Sequence, residues 1–383
     1  MLESVIVGAV RTPIGRINKS LKDVRADDLA ALVIKEVIER AGIEPAMVED
    51  VVFGCNTQIE EQGLNVTRIA VLTAGLPESI AGTTVNRQCG SGLQACNIAA
   101  MAVATGQSDF VIGGGVESMT RVPMGSDAGV FNERLIARYD LVPQGISAEL
   151  IADKWGLSRE EMDEFSLMSH RKAIAAIDAG RFKDEIVPVP IKDDSGKEVL
   201  FSIDEHPRRN TSLEKLAKLP PAFKPDGKIT AGNSSGINDG AAAVLFTTKT
   251  KARELGLEPL ATVRTMAVAG VDPVLMLTGP IPASRKALKK AGLTMNDIDL
   301  VELNEAFASV AIACSGELGI EPEKLNPNGG AIALGHPLGC SGARLLTTLL
   351  YEMERRGSRY GLVTLCIGFG QGITTIVERE NAG

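Results

Sequence analysis

Cys89 is the residue of this chain whose neighbours best suit a nucleophile. It lies in Asn86-Arg87-Gln88-Cys89-Gly90-Ser91-Gly92, between a β-like run and an Ala-rich helical segment. A thiol just before a helix meets the positive end of the helix dipole and N–H groups without partners. Both favour thiolate, so the position predicts a lowered pKa. The flanking glycines let a substrate approach the backbone closely. A buried structural cysteine at a tight turn satisfies the same local sequence equally well. His336 follows the Gly-rich stretch from Asn328 to Gly335 and precedes Pro337. Proline biases the residue before it toward extended backbone, and an imidazole fixed on such a loop suits a catalytic base. Cys366 ends an apolar run and opens Cys366-Ile367-Gly368-Phe369-Gly370-Gln371-Gly372. A thiol there suits proton transfer, and the glycine N–H groups suit an oxyanion. Asn304, in Asn304-Glu305-Ala306-Phe307, stands at a strand-to-helix corner, where α/β sheets collect function.

The remaining candidates read more plainly. His170, beside Arg171 and Lys172, and His206, between Glu205 and Pro207-Arg208, read as solvated surface residues. Cys55, Cys96, Cys314 and Cys340 read as packing residues. Three His and six Cys raise the question of zinc, but their spacings match no zinc pattern. Gly113-Gly114-Gly115 is not a dinucleotide fingerprint, and no phosphate-loop motif occurs.

The elements that carry these residues recur. Ser4 to Val10 reads as a buried strand, and Asp27 to Arg40 as a helix with Leu29, Leu32, Val33, Val37 and Ile38 on one face. Gly42 follows as its C-cap, then a strand at Val51-Val52-Phe53. Ser91 to Thr105 reads as a helix buried all round, and Phe110-Val111-Ile112 as the strand after it. The last third repeats this order. Ala287 to Leu300 reads as helical, passing Ala291-Gly292-Leu293, with a strand at Ile298 to Val301. Ser341-Gly342-Ala343 opens a helix from Arg344 to Arg356, followed by a strand ending at Cys366. Two similar α/β halves with Gly-rich helices at their seam are therefore expected. Residues 117 to 245 are richer in charge, Pro and Met and contain Trp155, so they read as an insertion with helices near 147–156 and 159–180.

The chain has 383 residues, 23% charged and 44% hydrophobic, with a net charge of −8. That composition excludes a disordered chain and argues against a general nucleic-acid binder. No apolar run is long enough to span a bilayer. The opening Leu2-Glu3-Ser4 lacks the pattern of a secretory leader, and Glu380-Asn381-Ala382-Gly383 carries no peroxisomal or retention address. A reducing cytoplasm is the expected compartment.

Taken in order along nearly the whole chain, these segments resemble the thiolase family. The resemblance rests on Val5 to Gly15, Asn86 to Leu93, Gly113 to Met119, Thr230 to Gly236, Asn304 to Phe307, Asn328 to Ala343 and Cys366 to Gly368. It implies an α/β fold of two duplicated βαβαβαββ halves in five layers, α/β/α/β/α. The N-terminal half would take residues 1–117 and 246–260, an inserted CoA-binding loop domain 118–245, and the C-terminal half 261–383. The resemblance further implies that Cys89 is the acylated nucleophile. His336 would take its proton and help bind the thioester oxygen. Cys366 would be the acid/base at the acetyl Cα. Asn304 would hold a water in one oxyanion hole, and the N–H groups of Cys89 and Gly368 would form another. The implied reaction is ping-pong, CoA-dependent cleavage of 3-ketoacyl-CoA to acetyl-CoA and a shortened acyl-CoA, or its reverse, a Claisen condensation. Coenzyme A is then a substrate, with no metal and no further cofactor. Carried over likewise, Ser235 would touch the pantetheine, Arg208, Leu219, Ala222 and Phe223 would lie near the adenine, and Met276, Ala306 and Phe307 would line the acyl and pantetheine tunnel. Family members are homodimers or homotetramers, and the apolar stretch 121–140 is the segment that would support a tetramer.

This sequence departs from the family pattern in places. Many members have Gly where Phe369 stands, which bears on the acyl pocket. Several acetoacetyl-CoA-specific members carry His-Met where Pro143-Gln144 stand here. The spelling Asn86-Arg87-Gln88-Cys89 is closer to degradative members. These features favour 3-ketoacyl-CoA thiolysis over an acetyl-CoA acetyltransferase confined to acetoacetyl-CoA. A ketoacyl-ACP synthase would need a second active-site histidine, which His170 and His206 are poorly placed to supply. A non-catalytic acyl-CoA binder would not need Cys89, Asn304, His336 and Cys366 together, and a cysteine protease would leave Cys366 and Asn304 idle.

Overall fold

The computed structural model describes residues 2–193 and 195–380. The first half runs β1 (Ser4–Arg11), α1 (Ala26–Ala41), β2 (Asp50–Gly54), α2 (Val66–Thr73), β3 (Ala81–Val85), α3 (Ser91–Ala104), β4 (Phe110–Ser118) and, after the insertion, β5 (Asn238–Thr248). The insertion contributes α4 (Gln144–Lys154), α5 (Arg159–Asp178) and a ribbon of Val189–Lys192 with Glu198–Phe201. The second half repeats the order with β6 (Ala261–Gly270), α6 (Pro280–Ala291), β7 (Leu300–Leu303), α7 (Ala308–Leu318), α8 (Leu338–Arg356), β8 (Tyr360–Ile367) and β9 (Gln371–Glu378). Its counterpart of β3 is a single parallel bridge, Leu325 to Val301.

Pairing repeats as well. β1 and β5, and β5 and β4, are antiparallel, while β4, β2 and β3 are parallel. In the second half β6 and β9, and β9 and β8, are antiparallel, while β8 and β7 are parallel. The halves join through β1 and β6, at Val5–Thr262 and Ile6–Ala261. The strand order is therefore β7-β8-β9-β6-β1-β5-β4-β2-β3. β4 and β5 are buried along their whole length, as strands covered on both faces are. α1 and α2 cover one outer face, α6 and α7 the other, and α3 packs against α8 between the sheets. This is the five-layer duplicated arrangement that the sequence implied.

Glycine makes the central layer possible. A Cβ at Gly92 would stand 2.6 Å from the carbonyl oxygen of Gly339, and one at Gly342 would stand 2.2 Å from the nitrogen of Leu93. The two helices thus touch backbone to backbone. Around them Leu93, Cys96, Val111, Phe246, Leu345, Leu349 and Ile373 close one apolar core from both halves. Cys55, Cys96, Cys314 and Cys340 are buried free thiols, as expected of packing residues.

Three boundaries differ from the sequence reading. β5 lies within the first sheet, so residues 238–245, assigned to the insertion, are strand. The helix read through Ala287–Leu300 ends at Ala291, because Gly292 turns left-handed at φ 69° and caps it. α8 begins at Leu338, ahead of the expected Arg344. Its first turn is anchored from the other half. Glu117, at the end of β4 and fully buried, accepts from the N–H of Gly339 at 2.8 Å. The same carboxylate also accepts from the N–H groups of Asn56 and Thr57 and from Gln62 Nε2. A carboxylate at a helix N-terminus is stabilised by the free N–H groups there, and this one ties the loop after β2 to α8.

Candidate active site

The turn before α3 is stitched by its own side chains. Arg87 N–H donates to Ser91 Oγ at 2.8 Å, and Ser91 Oγ–H donates to the carbonyl of Gln88 at 2.6 Å. Asn86 accepts from Gln88 N–H and donates to the carbonyl of Asn56. Gln88 is thereby held at φ 49°, a left-handed geometry that costs a non-glycine residue about 1 kcal/mol. A Cβ at Gly90 would come 2.6 Å from Ile367 Cδ1. Cys89 sits between these two constraints and is buried.

Burial pushes the Cys89 thiol up to about 11. The Gln144 amide and the N–H groups of Cys89 and Gly368 bond the sulfur and pull the other way, and buried Glu117 adds to the rise. The lowered pKa expected from the sequence is therefore overturned. Cys89 lies ahead of the cap Gly90 and outside the first turn of α3, and the loss of water outweighs the donors that reach it. At rest it is a thiol, and it needs a base.

His336 has the geometry of one. Gly335, at φ 103°, brings the chain against the Asn238 amide, where a Cβ would stand 2.4 Å from Cγ. Asn238 accepts from the His336 N–H at 3.2 Å and donates to the Gly15 carbonyl at 2.8 Å. His336 Nδ1 lies 2.6 Å from Ser341 Oγ, and that hydroxyl lies 2.7 Å from the Pro337 carbonyl. A carbonyl only accepts, so the hydroxyl proton goes to Pro337 and Nδ1 carries the hydrogen. Nε2 is left with a lone pair, which accepts from Asn304 Nδ2 at 3.3 Å. Burial, aided by the Arg344 cation, pushes His336 down to about 3, so the imidazole is neutral. Asn304 is fixed by its N–H to the Thr364 carbonyl, and its Oδ1 is buried without a protein partner. It retains an acceptor for a water or substrate group.

Cys366 lies one residue before the end of β8 and is buried. Its thiol is pushed well above the ordinary value, by burial first and then by Cys89 and Cys314. Gly368 follows, and then Phe369 at φ 60° and Gly370 at φ 82°. Non-glycine residues in left-handed geometry thus occur in both loops, Gln88 just before Cys89 and Phe369 just after Gly368.

Two cavities meet here. One, of about 420 Å³, is lined by Arg208, Ala222, Phe223, Ser235, Ala306 and Phe307, together with His336. The other, of about 630 Å³, is lined by Cys89, Gly368 and Met276. Met124, Gln144 and Leu338 line both, so one groove passes His336 and Cys89. Its first part is sewn together by the Ser235 N–H to the Ala306 carbonyl at 2.9 Å and by the edge-to-face pair Phe223–Phe307. Leu219, expected there, lines neither cavity and packs over Gly232 instead. His170 and His206, read as solvated, are both buried. His170 accepts from the Arg208 N–H, and His206 faces the groove near Asn238. Burial lowers them to about 4 and about 3. The packing that buries them is tertiary, which the local sequence does not reveal. Gln144, Asn238 and Ser341 have site contacts that sequence reasoning did not assign; the only signal was Pro143-Gln144 standing in place of His-Met.

Comparison with known proteins gives a consistent result. The family model described as "Thiolase, N-terminal domain" matches residues 4–250, and that described as "Thiolase, C-terminal domain" matches residues 257–379. An acetyl-CoA acetyltransferase of Syntrophomonas wolfei is 50% identical, with 98% of this chain and 99% of that protein aligned. A 3-ketoacyl-CoA thiolase of Aliivibrio fischeri is 48% identical over 99% of this chain and 100% of its own. A beta-ketoadipyl-CoA thiolase of Acinetobacter baylyi is 46% identical over the same shares. The crystal structure of the Bacillus anthracis acetyl-CoA acetyltransferase matches with a TM-score of 0.92 and 42% identity over 99% of each chain.

Proposed function

Because the chain belongs to the thiolase family, we propose that it cleaves 3-ketoacyl-CoA by acyl transfer through Cys89. Nε2 of His336 takes the Cys89 proton as the sulfur attacks the C3 carbonyl. The C2–C3 bond breaks, and acetyl-CoA leaves as an enolate that Cys366 protonates at C2. The Cys366 thiolate takes the proton of incoming CoA, whose sulfur attacks the acyl-Cys89 thioester. The departing Cys89 sulfur recovers its proton from His336. Charge on the C3 oxygen is met by the N–H groups of Cys89 and Gly368, and charge on the thioester oxygen by His336 and a water on Asn304. Coenzyme A enters as substrate, and no other cofactor takes part.

The observation that carries this reading is an imidazole held in one tautomer, its Nε2 lone pair facing the Asn304 amide, on the groove that also contains the Cys89 thiol. Arg208 and Arg16, which line the first cavity, suit the phosphates of CoA. The volume beside Cys89 supports an acyl chain longer than acetyl. A homodimer or homotetramer in the cytoplasm belongs to the same proposal. Six free thiols suit a reducing compartment. The edge strand β3 pairs only with β2 and suits a second copy. No described helix is long and apolar enough to cross a membrane. The test is CoA-dependent thiolysis of acetoacetyl-CoA beside 3-oxooctanoyl-CoA. Cleavage of the longer substrate supports the degradative reading. Cleavage of acetoacetyl-CoA alone makes the enzyme an acetyl-CoA acetyltransferase, and cleavage of neither overturns the proposal.

A further inference from the structure

Phe369 occupies a backbone geometry that suits glycine, with φ at 60°, in the turn between β8 and β9. The residue is 45% exposed, so it does not fill the core. It meets Phe131 of the insertion edge to face, with centroids 5.8 Å apart and the planes at 82°. Phe131 is also about half exposed, at 48%. Both rings line the cavity that holds Cys89 and Gly368, and Gly368 immediately precedes Phe369. A strained, half-exposed aromatic gives the fold little, and strain of this kind is retained where function over-determines it.

The rest of that cavity wall includes Val130, Leu141, Val142 and Met276. Among the described residues its lining contains no Lys, Arg or His, and its one charged residue is the acid Asp127. A carboxylate entering here would lose water without gaining a cation.

We propose that Phe369 and Phe131 form an aromatic wall that receives the distal, uncharged part of the acyl chain and selects against acyl chains that end in a carboxylate. This rests on the thiolase reading above and specifies its substrate class. Aromatic faces bury alkyl surface without needing polar partners. The wall begins one residue from Gly368, so an acetyl group is too short to gain from it and a medium chain gains most.

The test compares kcat/KM for acetoacetyl-CoA, 3-oxooctanoyl-CoA and 3-oxoadipyl-CoA in the full-length wild type, Phe369→Gly and Phe131→Ala. Glycine adopts φ 60° without penalty, so Phe369→Gly keeps its backbone, and Phe131→Ala probes the same wall from a separate segment. The wild type is expected to prefer 3-oxooctanoyl-CoA to 3-oxoadipyl-CoA by at least about tenfold, a difference of ~1.4 kcal/mol. The ratio of kcat/KM for 3-oxooctanoyl-CoA to that for acetoacetyl-CoA is expected to fall about tenfold in each variant, again ~1.4 kcal/mol. A ratio unchanged in either variant overturns the aromatic wall while leaving thiolase activity intact. Equal use of 3-oxoadipyl-CoA overturns the charge selection. Wild-type inactivity on all three substrates refutes the thiolase reading itself, and the wall with it.

Discussion

Ser341→Ala removes one oxygen and tests how the base is prepared. That oxygen accepts from His336 Nδ1 at 2.6 Å and donates to the Pro337 carbonyl at 2.7 Å. His336 is buried, so water does not replace the lost partner freely. Two outcomes are open to the imidazole. It keeps its hydrogen on Nδ1, unpaired, at a cost of about 1–3 kcal/mol. Or it moves the hydrogen to Nε2, where it faces the Asn304 amide donor and offers no lone pair to the thiol. The cost of the first form shifts the imidazole toward the second, unproductive one, and since 1.4 kcal/mol is a factor of ten, the acylation rate should fall about 5- to 150-fold. The assay is rapid-quench mass spectrometry of acyl-Cys89 after mixing with acyl-CoA, with circular dichroism to verify the fold. In the proposed reaction His336 serves both half-reactions, so return of the acyl group to CoA should slow as well. Acylation within twofold of wild type in a folded variant would refute the assignment of the tautomer to Ser341.

Further outcomes follow from the buried groups of the two halves. With the Cys89 thiol pushed up to about 11, its alkylation by iodoacetamide should keep rising by about tenfold per pH unit from pH 7 to 10, because thiolate is the reactive form. A plateau near pH 8.5 would contradict this, and Gln144→Leu should slow alkylation by removing one donor. The three histidines, lowered from 6.5 to about 4, 3 and 3, should show no imidazole titration by NMR between pH 8 and 5. Their folded values lie below the unfolded value, so the stability they contribute is present above pH 6.5 and is lost as pH falls through 4 and then 3. Glu302, raised from 4.5 to about 8, acts oppositely, and its contribution is lost as pH rises through 8. Glu117→Gln turns one acceptor into a donor facing N–H groups and should cost about 2–4 kcal/mol in urea unfolding. A loss below 0.5 kcal/mol would remove Glu117 as the clamp on α8.

Much of the fold was legible because it is written twice. Ala41-Gly42-Ile43 and Ala291-Gly292-Leu293 both end a helix in left-handed glycine, at φ 67° and 69°. The Ser-Gly pairs at 91–92 and 341–342 mark helices that must approach closely, and they do. The positions of Cys89, His336 and Cys366 at element ends were also readable, since turns and glycines punctuate sequence locally. What escaped depends on what lies across space. Dryness sets the Cys89 pKa, and no neighbour in sequence reports it. The orientation of His170 and His206 is likewise tertiary. Residues 240–245 are small and apolar and carry no strand alternation, because β5 is buried on both faces. Asn238 and Gln144 act through partners far away in the chain, His336 and Cys89.

The central claim is that Cys89 carries the acyl group. The direct measurement is peptide mapping by mass spectrometry after incubating the enzyme with 3-oxooctanoyl-CoA in the absence of free CoA, then adding CoA. One hexanoyl group per chain is expected on the peptide containing Cys89, discharged as hexanoyl-CoA when CoA arrives, with no adduct in Cys89→Ala. A hexanoyl group on Cys366 instead, or an adduct that survives in Cys89→Ala, would contradict it.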